Sequence, residues 1–130
     1  MITAGIGASA SATAAEITEA VRDACGRAGI EPNEVGILAS LARPETQLAL
    51  SVAAEALGAD VEFQDVGQLS AQSQRCVTHS ERSMAATGVP SVAEAAALAA
   101  SGPDGMLILP RVAYATVTVA LAVGPGATSA

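Results

Sequence analysis

Gly88-Val89-Pro90-Ser91-Val92-Ala93-Glu94-Ala95-Ala96-Ala97-Leu98 is the stretch on which the reading of this chain turns. Gly88 and Pro90 interrupt whatever precedes them. Ser91 followed three residues later by Glu94 has the spacing of a capping box, in which the serine hydroxyl accepts from the Glu94 N–H and the carboxylate reaches back to the Ser91 N–H. The Ala-rich run behind it predicts a helix ending at Gly102, a residue suited to stop one.

Working outward, the same alternation of apolar runs and helix signals recurs. Ile2 to Ile6 predicts a first strand, and Thr13 with Glu16 a second capping box. Ile17, Val21, Ala24, Cys25 and Ala28 then form a helical stripe that Gly29 ends. Val35 to Ala39 is continuously apolar, as a strand covered on both faces should be. Ser40 to Glu45 reads as a loop, Pro44 as the first turn of a helix, and Leu48, Val52, Ala56 and Leu57 as the apolar stripe of that helix up to Gly58. Asp60 to Asp65 alternates, predicting a strand with one wet face or at a sheet edge. Val66 to Ser73 reads as a short helix or turn. Thr78-His79-Ser80-Glu81 repeats the capping-box spacing and opens a short helix to Ala86, closed by Gly88. Met106 to Leu109 and Tyr114 to Val123 are the last strands, and Pro110 to Ala113 is short enough to join them as an antiparallel hairpin. The pattern predicts a three-layer α/β/α fold with an open, mixed, mostly parallel sheet of about five strands. One domain spans 2–123, and 124–130 is expected to be a frayed tail.

Composition narrows the function classes. In 130 residues with a net charge of −7, all six cations are arginine and there is no lysine. So acidic a chain is a poor non-specific ligand for nucleic acid or an anionic membrane, and one Phe, one Tyr and no Trp offer no base-stacking platform. No apolar run approaches a membrane span, and Met1-Ile2-Thr3-Ala4 has no basic leader region, so a cytoplasmic protein is expected. Cys25 and Cys76 lack metal-ligand spacing and read as buried or half-buried thiols. His79 is the only histidine and reads as an exposed loop residue. No metal site or cofactor is expected.

The remaining chemistry clusters at strand ends. Gly5-Ile6-Gly7-Ala8-Ser9-Ala10 fits a Gly-x-Gly-x-x-Ala fingerprint between strand and helix, where backbone N–H groups can receive an anion. A dinucleotide site would need an acidic residue ending the second strand, and Ala39-Ser40 stands there instead. Any ligand carboxylate suits the same geometry better. Arg43 and Arg111 both follow strands, and in open sheets ligands bind off the carboxyl ends of strands. Gly7, Ser9, Arg43 and Arg111 are therefore expected to share one crevice. Ser91, Glu94, Thr78 and Ser80 read as caps that also serve the site if their helices face that crevice.

Gly88 to Leu98, with Leu107-Ile108-Leu109-Pro110-Arg111 and Thr116-Val117-Thr118-Val119-Ala120, resembles the cobalamin-biosynthesis proteins of the CobE type and the C-terminal domain of CbiG, the cobalt-precorrin-5A hydrolase. The resemblance covers most of residues 2–123. The family's opening Gly-x-Gly is kept as Gly5 and Gly7, its Thr-x-Ser as Thr78 and Ser80, and its basic residue after the fourth strand as Arg111. Relatives often continue the opening as Cys-Arg-x-Gly, where this chain has Ala8-Ser9-Ala10-Ser11. After the second strand they tend to show Thr-(Ile/Leu)-Asp-x-Lys, of which Ser40-Leu41-Ala42-Arg43 keeps the hydroxyl and the cation.

The resemblance implies a tetrapyrrole-handling role with a corrinoid or precorrin intermediate as ligand and other cobalamin-pathway enzymes as partners. Two readings compete. One is a module that binds or carries a carboxylated corrinoid, held by Arg forks, hydroxyls and helix N-termini. The other is a hydrolase of the lactone-opening type with Glu94 as general base. The first is favoured because no activated nucleophile or metal is visible. A nucleotide- or phosphate-binding domain is the third reading.

Overall fold

The computed structural model describes residues 1–125. The remaining part of the expected tail, from residue 126 on, lies outside the described residues. Strands Ile2–Ala8 (β1), Val35–Leu41 (β2) and Asp60–Gln64 (β3) alternate with helices Ala14–Ala28 (α1) and Pro44–Leu57 (α2). Two short helices follow, Val66–Ser70 (α3) and Glu81–Thr87 (α4). The quoted stretch forms Val92–Ser101 (α5), and Met106–Ala113 (β4) and Val117–Val123 (β5) close the fold. The sheet order is β3-β2-β1-β5-β4, with β1, β2 and β3 parallel and β5 antiparallel to both β1 and β4. The expected α/β architecture with an open mixed sheet is what forms, and the alternating strand β3 is an edge.

Side-chain alternation separates two cores. Ala4, Ile6, Leu38, Val119 and Leu121 meet Ile17, Val21 and Cys25 of α1 and Leu50, Ala53 and Ala54 of α2. The other face carries small residues under α5, where Ala39 joins Ala95, Ala96 and Ala100, with Ile37 and Leu41 partly buried beside them. Gly5 shows why they must be small: a Cβ on it would overlap the Ala93 carbonyl and lie 2.6 Å from the Ala97 nitrogen. The Ala-rich helix thus lies directly on the backbone of the central strand. Close approach replaces large side chains as the source of buried area and dispersion contact.

Several boundaries differ from the sequence reading. β1 continues to Ala8 and β2 to Leu41, so Ser40 and Leu41 are strand, not loop. The α2 stripe is Thr46, Leu50, Ala53, Ala54 and Leu57, while Leu48 is 75% and Val52 46% exposed. An alanine-rich helix has apolar residues all round, so periodicity cannot choose its inward face. β4 runs through Pro110 to Ala113, and the hairpin turn lies at 114–116, closed by the Tyr114 N–H on the Val117 carbonyl at 2.8 Å. Proline is tolerated there because β4 is an edge strand and is bulged. Leu109 faces Leu121 and Val112 faces Val119, so β4 uses one more residue than its partner across Pro110-Arg111.

Gly26, in the outer face of α1, has nothing within 4 Å of the position a Cβ would take. Gly5→Ala should therefore lower unfolding stability by about 3 kcal/mol through overpacking against backbone. Gly26→Ala should raise it by about 0.5–1 kcal/mol by restricting the unfolded chain. Urea unfolding of both variants checks the pair.

Candidate functional site

At the carboxyl ends of β1 and β2, the start of α5 and the β4–β5 turn enclose a cleft of about 370 Å³. Of the residues expected at a site, Gly7, Ser9, Arg43, Ser80, Ser91 and Arg111 line it. Gly5, Thr78 and Glu94 do not. Gly5 lies under α5, and Thr78 and Glu94 support the cleft from beneath.

Glu94 is fully buried. Only half of the expected capping box forms: the Ser91 hydroxyl accepts from the Glu94 N–H at 3.2 Å, but the carboxylate turns away from Ser91. Oε1 accepts from the N–H groups of Val77 and Thr78 at 2.8 and 2.9 Å. Oε2 accepts from the Thr78 hydroxyl at 2.6 Å and the Arg111 N–H at 2.9 Å. The bulge in β4 leaves that Arg111 donor free for the carboxylate. Burial pushes the Glu94 pKa up, but the donors from Arg111, Thr78 and Val77 outweigh it, and the net shift is downward. Thr78 is consequently a ligand of Glu94 rather than a helix cap; Ser80 caps α4 instead, accepting from the Ser83 N–H at 3.2 Å.

Three of the six arginines, Arg43, Arg82 and Arg111, line the cleft, and no Asp or Glu is among its lining residues. Arg43 sits at the start of α2, donating to the Ala8 carbonyl at 3.4 Å and to Glu45 at 3.1 Å, outside the lining. Among the described residues, the Arg82 and Arg111 guanidinium groups have no carboxylate within 4.0 Å. Arg22 and Arg27 pair on the surface with Glu19 and Asp23. Arg75 is spent on the carbonyls of Gly102 and Gly105. Sequence reading missed Arg82, because nothing at 81–83 marks one side chain of a short helix as inward, and also Thr118, which donates to the Gly7 carbonyl at 3.4 Å on the cleft wall.

The turn that roofs the cleft is tied to α1 by Tyr114, whose hydroxyl donates to Asp23 at 2.5 Å, where Arg27 also donates at 2.7 Å. Burial and the Asp23 charge push the Tyr114 pKa up to about 12. Cys25 and Cys76 are free and buried, and burial and then the Glu94 charge push Cys76 up to about 11. His79 is exposed in its loop and does not line the cleft. Among the described residues no group of His, Cys, Asp and Glu is placed to hold a metal ion, and no helix is long and apolar enough to cross a membrane. The cleft lining thus offers cations and hydroxyls with no carboxylate among them, and the acid paired with its arginines, Glu45 on Arg43, stands outside the lining.

Residues 2–122 match the family described as Cobalamin synthesis G C-terminus. The chain belongs to that family. It is also 33% identical over 121 residues to Protein CobE of Sinorhizobium sp., across 93% of this chain and 78% of that one. The crystal structure of CobE, a protein from the cobalamin (vitamin B12) biosynthetic pathway, superposes with a TM-score of 0.89 at 27% identity, over 97% of this chain and 92% of that chain. The cobalamin biosynthesis protein chiG of Agrobacterium tumefaciens gives 0.77 at 35% identity, over 96% and 99% of the two chains. Membership of the family places the chain in cobalamin biosynthesis.

Glu94→Gln should destabilise the fold by about 3 kcal/mol at neutral pH, because an amide nitrogen at either oxygen position faces an N–H donor and leaves it unsatisfied. Since the folded pKa lies below 4.5, the ionised Glu94 contributes its full stabilisation above that pH and loses it as pH falls through the folded value. The gap between wild type and variant in urea unfolding should accordingly narrow in acid.

Proposed function

We propose that this protein binds a carboxylated corrinoid intermediate of cobalamin biosynthesis in the arginine-lined cleft and carries it between pathway enzymes. The observation that supports this most is the gathering of half the chain's cations around one acid-free cleft in a protein of net charge −7. A corrinoid acid carries several carboxylates around a broad apolar ring. Arginine forks receive carboxylates bidentately, and the side chains of Ser9, Ser80 and Ser91 add neutral donors. Leu41, Val92 and Val117 supply apolar surface for the ring.

A carrier is favoured over a hydrolase by what faces the cleft. Its lining has no carboxylate, thiol or imidazole to activate water. The Glu94 oxygens are engaged by four donors and Glu94 is not among the lining residues, so it acts here as a positioning residue for Thr78 and Arg111. Gly5, the first glycine of the apparent nucleotide fingerprint, serves helix packing, which leaves the nucleotide reading without its turn.

Titration with hydrogenobyrinic acid, followed by its visible absorption, tests the proposal. A saturable one-to-one shift is expected, with no new product on chromatography and weaker binding in high salt. Arg111→Ala should weaken binding roughly tenfold, the effect of losing one charge-assisted contact. Conversion of the corrinoid by the wild type, or no spectral shift at all, overturns the carrier reading.

A further inference from the structure

We infer that α4 is a clamp that closes over the bound ligand and delivers Arg82 to a carboxylate that the fixed arginines do not reach; this rests on the carrier reading above. α4 is the one α-helix among the described residues that buries none of its side chains, whereas the shorter α3 buries Leu69. It is suspended between two anchors. On one side Thr78 is held by Glu94, and the Ser80 N–H donates to the Pro90 carbonyl at 2.9 Å. On the other, Gly88 adopts φ +76°, a conformation that other residues resist, before the buried Val89 and Pro90. The side-chain ties of α4 to the following segment are polar: the Ser83 hydroxyl donates to the Val89 carbonyl at 2.6 Å, and the Thr87 hydroxyl accepts from the Val89 N–H at 3.1 Å.

Ser80, Arg82, Ser83 and Ala86 form the α4 wall of the cleft. A segment with firm ends and no buried anchor opens at low free-energy cost, and is ordered by whatever fills the space beside it. Arg111 is different: its backbone is fixed by Glu94 within a sheet strand. With α4 as one wall, the cleft holds about 370 Å³, near the lower end of the ~300–1,000 Å³ range of drug-sized ligand sites, so α4 must move to admit a larger corrinoid and then settles against it. Two classes of cation follow. Arg43 and Arg111 are preset, whereas Arg82 engages as the clamp closes.

Hydrogen–deuterium exchange of the full chain, free and saturated with hydrogenobyrinic acid, tests this beside Arg82→Ala. In the free protein the amides of 81–87 should exchange far faster than those of α5. Saturation should slow them at least tenfold, while Arg82→Ala keeps the wild-type urea midpoint, binds roughly tenfold more weakly and fails to slow them. Protection of 81–87 equal to that of α5 in the free protein overturns the clamp whatever the ligand. Undiminished binding by Arg82→Ala, or unchanged exchange in a saturated wild type, overturns it while leaving the carrier reading intact. Absence of binding by the wild type overturns the carrier reading and the ligand role of Arg82 with it.

Discussion

The structure depends on a buried carboxylate. An ionised group without partners in a protein interior is unstable, and Glu94 is tolerated only because four donors converge on it. Those donors come from a loop 16 and 17 residues earlier in the chain and from a bulge 17 residues later. One side chain thereby fixes α5, the 77–78 segment and β4 relative to one another. The bulge in β4 fits this account: it interrupts the sheet ladder where the Arg111 N–H is required elsewhere.

That arrangement needs α5 to sit very close to the sheet. Gly5 and the neighbouring alanines permit it, and the helix carries Ser91 and Val92 to the edge of the cleft. Composition and site geometry are linked here. A core rich in alanine buries little area per residue, so stability comes from close helix–strand contact, and the same contact brings the Glu94 carboxylate within reach of its donors.

Electrostatics in this protein is local. A net charge of −7 argues against adhesion to polyanions, yet the cleft has the opposite character. Acidic residues are kept out of its lining, and the arginines not used there are paired on α1 or bound to main-chain carbonyls. The overall charge therefore limits non-specific partners, while the cleft gathers three of the six arginines around a lining without carboxylates.

The order of strands and helices, the Thr13–Glu16 box and the clustering of Gly7, Ser9, Arg43 and Arg111 at strand ends were legible in the sequence, because caps, periodicity and strand ends are local properties. The resemblance to the family was legible on the same terms. The inward face of α2 was not, because alanine contributes nearly equal burial on every side. Nor were the partners of Glu94, the inward turn of Arg82, or the tie between Tyr114 and Asp23, which lie 91 residues apart. What the sequence by itself determined was the order of helices and strands and where most of them begin, though not the ends of β2 and β4 or the start of β5. Tertiary structure alone decided whether Glu94 closes its own helix or clasps two distant segments, since a buried carboxylate goes to whichever donors the sheet order brings nearest.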